Sequence, residues 1–176
     1  LDLWAGKKGI SLVGTGDFTH PAWRKELKEQ LAYEEDGIYR LKEEFRLKEE
    51  FRLPDESKSN IANRDLTPPR FVVTGEISSI YKKRGKTRKV HNLVILPSIN
   101  AADKISAKLE KIGNIASNGR PILGIDSRDL LELVLDVCPE AELIPAHIWT
   151  PHFSIFGAFS GFETIEDCFE DMAPYV

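Results

Sequence analysis

From Arg70 to Pro97 the chain reads RFVVTGEISSIYKKRGKTRKVHNLVILP, two runs rich in β-branched and aromatic residues on either side of a glycine embedded in cations. Such residues fit a pleated, half-buried surface. With Gly85 in the middle of the cationic run, the flanks GEISSIY and VHNLVIL read as the two arms of a β-hairpin with a basic tip. The tip, KKRGKTRK, holds six cations in eight positions, namely Lys82, Lys83, Arg84, Lys86, Arg88 and Lys89. A projecting cationic finger is the expectation. Charge of this density attracts a polyanion, although lysine-rich edges also serve simply to keep strands from aggregating.

Other apolar runs suited to buried strands are GISLVGTG at 9–16, PILGID at 121–126 and AELIPAH at 141–147. Helical patterns lie between several of them. Pro21 opens AWRKELKEQL, whose Trp23, Leu27 and Leu31 keep to one face. Asn100 is expected to cap a helix that stops at Gly113, Asp126 or Ser127 to cap RDLLELVLDV, and Thr164 to precede IEDCFEDM. Strands alternating with helices of this length imply an α/β fold on a largely parallel sheet, open or closed into a barrel. Residues 41–52 spell LKEEFR twice, and from Tyr39 to Leu53 the odd positions are mostly apolar, a strand pattern in helix-favouring residues. A polar loop, 54–69, follows.

The bounds on function are broad. The 176 residues are 41% hydrophobic and 30% charged, with a net charge of −4, which argues against coating nucleic acid by bulk electrostatics. No stretch approaches the roughly 18 apolar residues of a membrane helix, and LDLWAGKKGIS lacks the order of a signal peptide, so a cytoplasmic protein is expected. Cys138 and Cys168 form no CxxC pair and read as buried thiols. There is no GxSxG elbow, and GTG at 14–16 lacks the third glycine of a dinucleotide fingerprint.

The scarce ionisable groups cluster at the margins of the apolar runs: Asp17 and His20 after the first, Glu76 after FVVTG, His91 at the entry of its run, and His147 and His152 in PAHIWTPH. Loops at strand ends build the sites of α/β folds. Taken singly, a histidine there is an ordinary hydrogen-bonded group and Asp17 a helix cap. Glu76 is costly to bury unless it meets a cation or a metal. Imidazole and carboxylate together suit zinc, manganese or iron, which activate water and hold phosphate oxygens in hydrolytic sites.

LVGTGDFTHPAW, FVVTGEISSIYKK, RKVHNLVILP, IGNIASNGRPILGIDSRDLLE and LIPAHIWTPHFSIFG resemble the metal-dependent domain of endonuclease Q-type proteins of the polymerase and histidinol phosphatase (PHP) superfamily. The resemblance runs from Gly9 to about Tyr175 and implies residues 1–176 as a single, partial PHP-like domain with an inserted charged segment and loop at about 34–69. It implies a distorted β/α barrel of the PHP type, incomplete at both ends, because the first motif, HxH, would precede LDLW and the last would follow APYV. It also implies divalent ions, zinc before manganese, held by Asp17, His20, Glu76, His91 and His147, with Asp17 and Glu76 catalytic and Glu76 bridging. His20 stands in for a histidine that the pattern places at Phe18, and His152 lies outside the pattern.

The implied activity is nicking of DNA at deaminated or abasic sites. The basic finger would grip phosphates, and Trp149 or Phe153 would stack on an extruded base. Two alternatives stay open: a phosphomonoesterase acting on a small metabolite, and a non-catalytic nucleic-acid-binding remnant.

Overall fold

The computed structural model describes residues 1–46, 68–117 and 119–176. The second LKEEFR copy and most of the polar loop after it lie outside the described residues. In chain order the elements are α1 (Asp2–Lys8), β1 (Leu12–Gly14), α2 (Pro21–Gln30), β2 (Leu31–Glu35), β3 (Ile38–Leu41), β4 (Arg70–Lys83) and β5 (Lys86–Leu96). There follow α3 (Ile99–Leu109), β6 (Ile122–Leu123), α4 (Ser127–Val137), β7 (Glu142–Pro145) and α5 (Ile165–Phe169), with short 3₁₀ helices at Glu43–Phe45 and Glu170–Tyr175.

The expected hairpin is β4–β5, and it runs further than the apolar flanks suggest. Its ladder extends from Val73↔Leu96 to Lys83↔Lys86, and Arg84 and Gly85 form the turn with φ of 51° and 74°. Two successive positive φ angles are what a two-residue primed turn requires, because only its twist matches that of the strands. A second hairpin, β2–β3, turns in the same way at Asp36–Gly37, with φ of 43° and 81°. The strand period assigned to 39–53 thus belongs to β3 only as far as Leu41, after which the chain enters the 3₁₀ turn.

These hairpins overturn the expectation of a largely parallel sheet. The path is β2-β3-β4-β5-β7, antiparallel at every step, while β1 and β6 each run parallel to β4. A barrel requires its terminal strands to pair. Here β2 and β7 end the path and do not meet, so the sheet of the described residues is open and not the expected distorted barrel. No helix among the described residues is long and apolar enough to cross a membrane.

The helices cover the sheet with the faces that the sequence spacing implies. On α2, Leu27 is buried and Trp23 packs against the core, while Leu31 is buried as the first residue of β2. On α3 the buried set includes Ala102, Ile105 and Leu109, and on α4 it includes Leu130, Leu131 and Val134. Arg24 of α2 ties that helix to α3 and to the loop before it: it pairs with Asp103 of α3 at 3.0 Å and donates to Phe18 O, Thr19 O and Ser106 Oγ. The cap of α3 is Ser98, whose Oγ accepts from Ala101 N at 3.0 Å, and not Asn100, which is already inside the helix. Ser98 is extended, with φ of −160°, and a serine there is as good a cap as an asparagine, so the helix starts two residues upstream. Asp126 caps α4 and Thr164 caps α5, as expected.

Both cysteines are free and buried. Burial raises the Cys168 thiol to about 11 and pushes the Tyr81 hydroxyl well above its ordinary 10, and the two side chains lie 3.8 Å apart. In the unfolded chain Cys168 ionises near pH 9, and in the folded chain it stays neutral. Its contribution is therefore fully present below pH 9 and lost as pH rises to 11, a loss of roughly 2 to 3 kcal/mol. Guanidinium unfolding between pH 7 and pH 11 is expected to show this decline beginning near pH 9, and Cys168→Ala is expected to make it shallower, leaving the parts due to Cys138, whose thiol is also raised by burial, and to Tyr81.

Candidate metal centre

Register brings the first two donors together. In the β4–β5 ladder Ser78 faces His91 and Glu76 faces Leu93, so Glu76 and His91 are diagonal neighbours on one face of the hairpin. Both sit well inside long strands rather than at strand margins, because β4 and β5 continue to Lys83 and from Lys86. Strand β7 adds the third donor. It pairs with β5 through Asn92↔Pro145, the next residue donates from Ala146 N to His91 O at 2.9 Å, and His147 follows with φ of 35°.

One ligand atom from each of Glu76, His91 and His147 falls within 4.8 Å of the others. His91 Nδ1 is 3.0 Å from Glu76 Oε1 and 3.1 Å from His147 Nε2, and His147 Nε2 is 3.8 Å from Glu76 Oε1. Thr150 orients the outer imidazole: its Oγ1 lies 2.9 Å from His147 Nδ1 and within reach of the carbonyls of His147 and His152, at 3.1 and 2.9 Å. With the hydroxyl proton given to a carbonyl, Oγ1 accepts from Nδ1–H and leaves Nε2 with its lone pair toward Glu76. His91 stacks on Phe153 at 4.6 Å, and burial, Arg120 and His147 in that order depress its pKa to about 4. At neutral pH it is the uncharged imidazole, the form that ligates metals.

Arg120 completes the cluster and was not singled out by sequence reasoning. Its Nη1 lies 3.1 Å from Glu76 Oε1 and 2.7 Å from His91 Nδ1. The cause is the parallel pairing of β6 on β4, in which Ser78 N donates to Pro121 O at 2.9 Å and Ser78 faces Ile122, which carries Arg120 alongside Glu76. A two-residue strand leaves little periodicity to read. Despite these neighbours, Glu76 Oε1 is buried and makes no hydrogen bond of good geometry. A buried acceptor in that condition, beside two imidazoles, fits a divalent cation: one carboxylate oxygen and two nitrogens are a common donor set for zinc, manganese and iron.

The other expected ligands lie outside this set. Asp17 is exposed on the turn after β1 with φ of 44°, and its carbonyl accepts from His20 N at 2.9 Å. The cap of α2 is His20 rather than Asp17, since the imidazole accepts from Trp23 N. Asp17 is nonetheless fastened to the strand that bears Glu76: Phe18 N donates to Thr74 O at 3.3 Å, and the fully buried Phe18 ring packs close to Gly75, where a Cβ would come within 2.6 Å of it. His152 stacks on Phe159 and takes no part in the cluster.

The hairpin tip is less free than a projecting finger. Lys83 is held by Asp126 and Glu170 at 3.0 and 2.9 Å, Arg84 pairs with Asp167, and Arg88 donates to Gly161 O and lies over the Phe162 ring. Lys82 and Lys86 are exposed, and Lys89 sits over the Phe153 ring that backs His91. Trp149 is 78% exposed and leans on Phe156. Arg84, Lys86, Arg88, Phe156 and Phe162 line a polar groove of about 550 Å³ beside the tip.

An open mixed sheet bearing a Glu–His–His donor set defines an α/β chain fit for a divalent metal. Comparison with solved structures shows which fold this is. The lesion-specific endonuclease PfuEndoQ of Pyrococcus furiosus superposes with a TM-score of 0.68 at 24% identity, covering 96% of this chain and 34% of that one. A second structure, endonuclease Q in complex with a 27-mer duplex that carries an abasic lesion at the active site, superposes with a TM-score of 0.68 at 26% identity, covering 95% and 33%. The chain is endonuclease Q-like, in keeping with the PHP resemblance. No protein-family profile matches it. An uncharacterized protein of Methanocaldococcus jannaschii is 28% identical over 162 residues, which are 91% of this chain and 15% of that protein. The chain thus spans about a third of each solved neighbour and a smaller part of the curated relative.

Glu76→Gln is expected to lower divalent-metal affinity by more than the roughly 10- to 100-fold that loss of an outer partner costs, as measured by isothermal titration. Gly75→Ala is expected to cost about 1 to 3 kcal/mol in guanidinium unfolding, because the added methyl must displace Phe18.

Proposed function

We propose that the chain is the metal-binding part of a DNA endonuclease that hydrolyses the phosphodiester backbone beside damaged bases, including deaminated and abasic sites. The convergence of Glu76, His91 and His147 on one face of the hairpin is the observation that supports this reading most directly. One solved neighbour is a lesion-specific endonuclease, and the other is endonuclease Q holding a duplex with an abasic lesion.

In this reading Glu76, His91 and His147 hold the ion, zinc or manganese, and Asp17 serves as a further donor and catalytic carboxylate, supported by its attachment to β4 through Phe18. His20 keeps the Asp17 turn in place as the cap of α2. The ion supplies Lewis acidity: it lowers the pKa of water and neutralises charge on phosphate oxygens. Water attacks phosphorus, the bond to the leaving oxygen breaks, and no covalent link to the protein forms. Neutral His91 stays a ligand at pH 7 because its proton is lost near pH 4. Lys82, Lys86 and Lys89 contact backbone phosphates, with Lys83, Arg84 and Arg88 stiffening the tip that carries them. Trp149, exposed two residues after His147, stacks on the extruded base.

A nicking assay on duplexes containing uracil, hypoxanthine or an abasic site, with added Mn²⁺ or Zn²⁺, tests the proposal. Cleavage at the lesion is expected, with a loss of about 10²-fold or more in Glu76→Gln. Charge reversal at Lys82 and Lys86 is expected to weaken duplex binding and nicking together. Hydrolysis of a small phosphomonoester that survives this reversal would favour the phosphomonoesterase reading. Binding of DNA with neither metal nor cleavage would favour the remnant.

A further inference from the structure

Arg120 occupies the donors on which the proposed metal reading rests. Its Nη1 is within 3.1 Å of Glu76 Oε1, 2.7 Å of His91 Nδ1 and 3.2 Å of His91 Nε2. A neutral imidazole nitrogen has a single lone pair, so a guanidinium aimed at His91 Nδ1 and a cation exclude each other there, and beside Glu76 the two positive charges repel. The arginine and the ion therefore compete for this donor set. The arginine side chain is 44% exposed, while its backbone is fixed by the pairing of Pro121 and Ile122 with β4. When it leaves the donors it therefore stays beside them, with five N–H groups and water on its outer side.

We infer that Arg120 is the resident counter-cation of this cluster, that a divalent ion binds by displacing it, and that the displaced guanidinium then takes an oxygen of a phosphodiester. Two consequences follow from linkage. Ion and arginine compete for Glu76, so the arginine weakens metal binding in the absence of substrate. Ion and phosphodiester cooperate, because each binds better to the form in which the guanidinium has swung away, and the coupling is reciprocal. Arginine suits the second task because its planar fork matches phosphate oxygens in pairs.

The experiment measures free Mn²⁺ by electron paramagnetic resonance in titrations of the chain, with and without saturating dimethyl phosphate. Arg120→Gln is expected to bind Mn²⁺ about tenfold more tightly than the unaltered chain without the diester, and Arg120→Lys, which keeps a charge but not the fork, by a smaller factor. Dimethyl phosphate is expected to tighten Mn²⁺ binding by about fivefold or more in the unaltered chain and far less in Arg120→Gln. The inference is overturned if Arg120→Gln binds Mn²⁺ no more tightly than the unaltered chain, or if the diester effect is the same in both. If the unaltered chain binds no Mn²⁺, the metal reading falls with it. If binding and coupling behave as expected but lesion-containing duplex stays intact, the endonuclease reading alone falls.

Discussion

The ladder between β4 and β5 decides where every functional group can be. Side chains alternate faces along a strand, so a slip of one residue would send Glu76 and His91 to opposite sides of the sheet. The slip is resisted at both ends. The Arg84–Gly85 turn admits one register, and Phe71, Val73, Ile77 and Tyr81 on β4, with Val90, Val94 and Leu96 on β5, bury their side chains in a single core cluster. Each buried aliphatic side chain contributes about 1.5 to 3 kcal/mol through removal from water, so a shifted register would forfeit far more than hairpin hydrogen bonds return. The remaining pieces of the cluster are added to this ladder: β6 pairs with β4 and brings Arg120, and β7 pairs with β5 and brings His147.

The electrostatics follow from that placement. Glu76 is a carboxylate within the body of the sheet, partly removed from water, and a charge in such a place must be compensated or given up. Among the described residues, compensation comes from Arg120 directly and from the two imidazoles beside it. The same crowding keeps His91 neutral, since a proton on it would face burial, Arg120 and His147 together. A carboxylate beside one partly exposed guanidinium, a neutral His91 and a second imidazole is a set of donors that a cation can use.

Much of the arrangement could be read from residues alone. The strands β1, β4, β5, β6 and β7, the hairpin with its basic tip, the caps at Asp126 and Thr164 and the three side chains that converge were legible because alternation, capping chemistry and scarcity of histidine are local signals. Sheet direction was not. Helix-strand alternation suggested parallel strands, and the Asp36–Gly37 pair, a strong turn signal, was hidden inside a charged stretch whose strand period appeared to run on past Leu41. Glu76 and His91 were placed at strand margins because the cationic tip looked like loop, whereas Lys82, Lys83 and Lys86 to Lys89 are themselves strand residues. Arg120 left no trace in the local pattern, as its position depends on a contact between segments some forty residues apart.

The tethering of the hairpin tip also bears on how the chain meets a polyelectrolyte. Of the six cations there, Lys83 and Arg84 already have carboxylate partners and Arg88 is committed to the Gly161 carbonyl and the Phe162 ring, which leaves Lys82, Lys86 and Lys89 to meet phosphates. Counterion release follows the number of phosphates neutralised, with a slope of about −0.9 in log K against log salt for each. The tip would therefore give a slope near −3 rather than the value above 5 in magnitude that its composition suggests. A modest ionic-strength sensitivity would thus belong to a hairpin tip whose sequence looks made for the opposite.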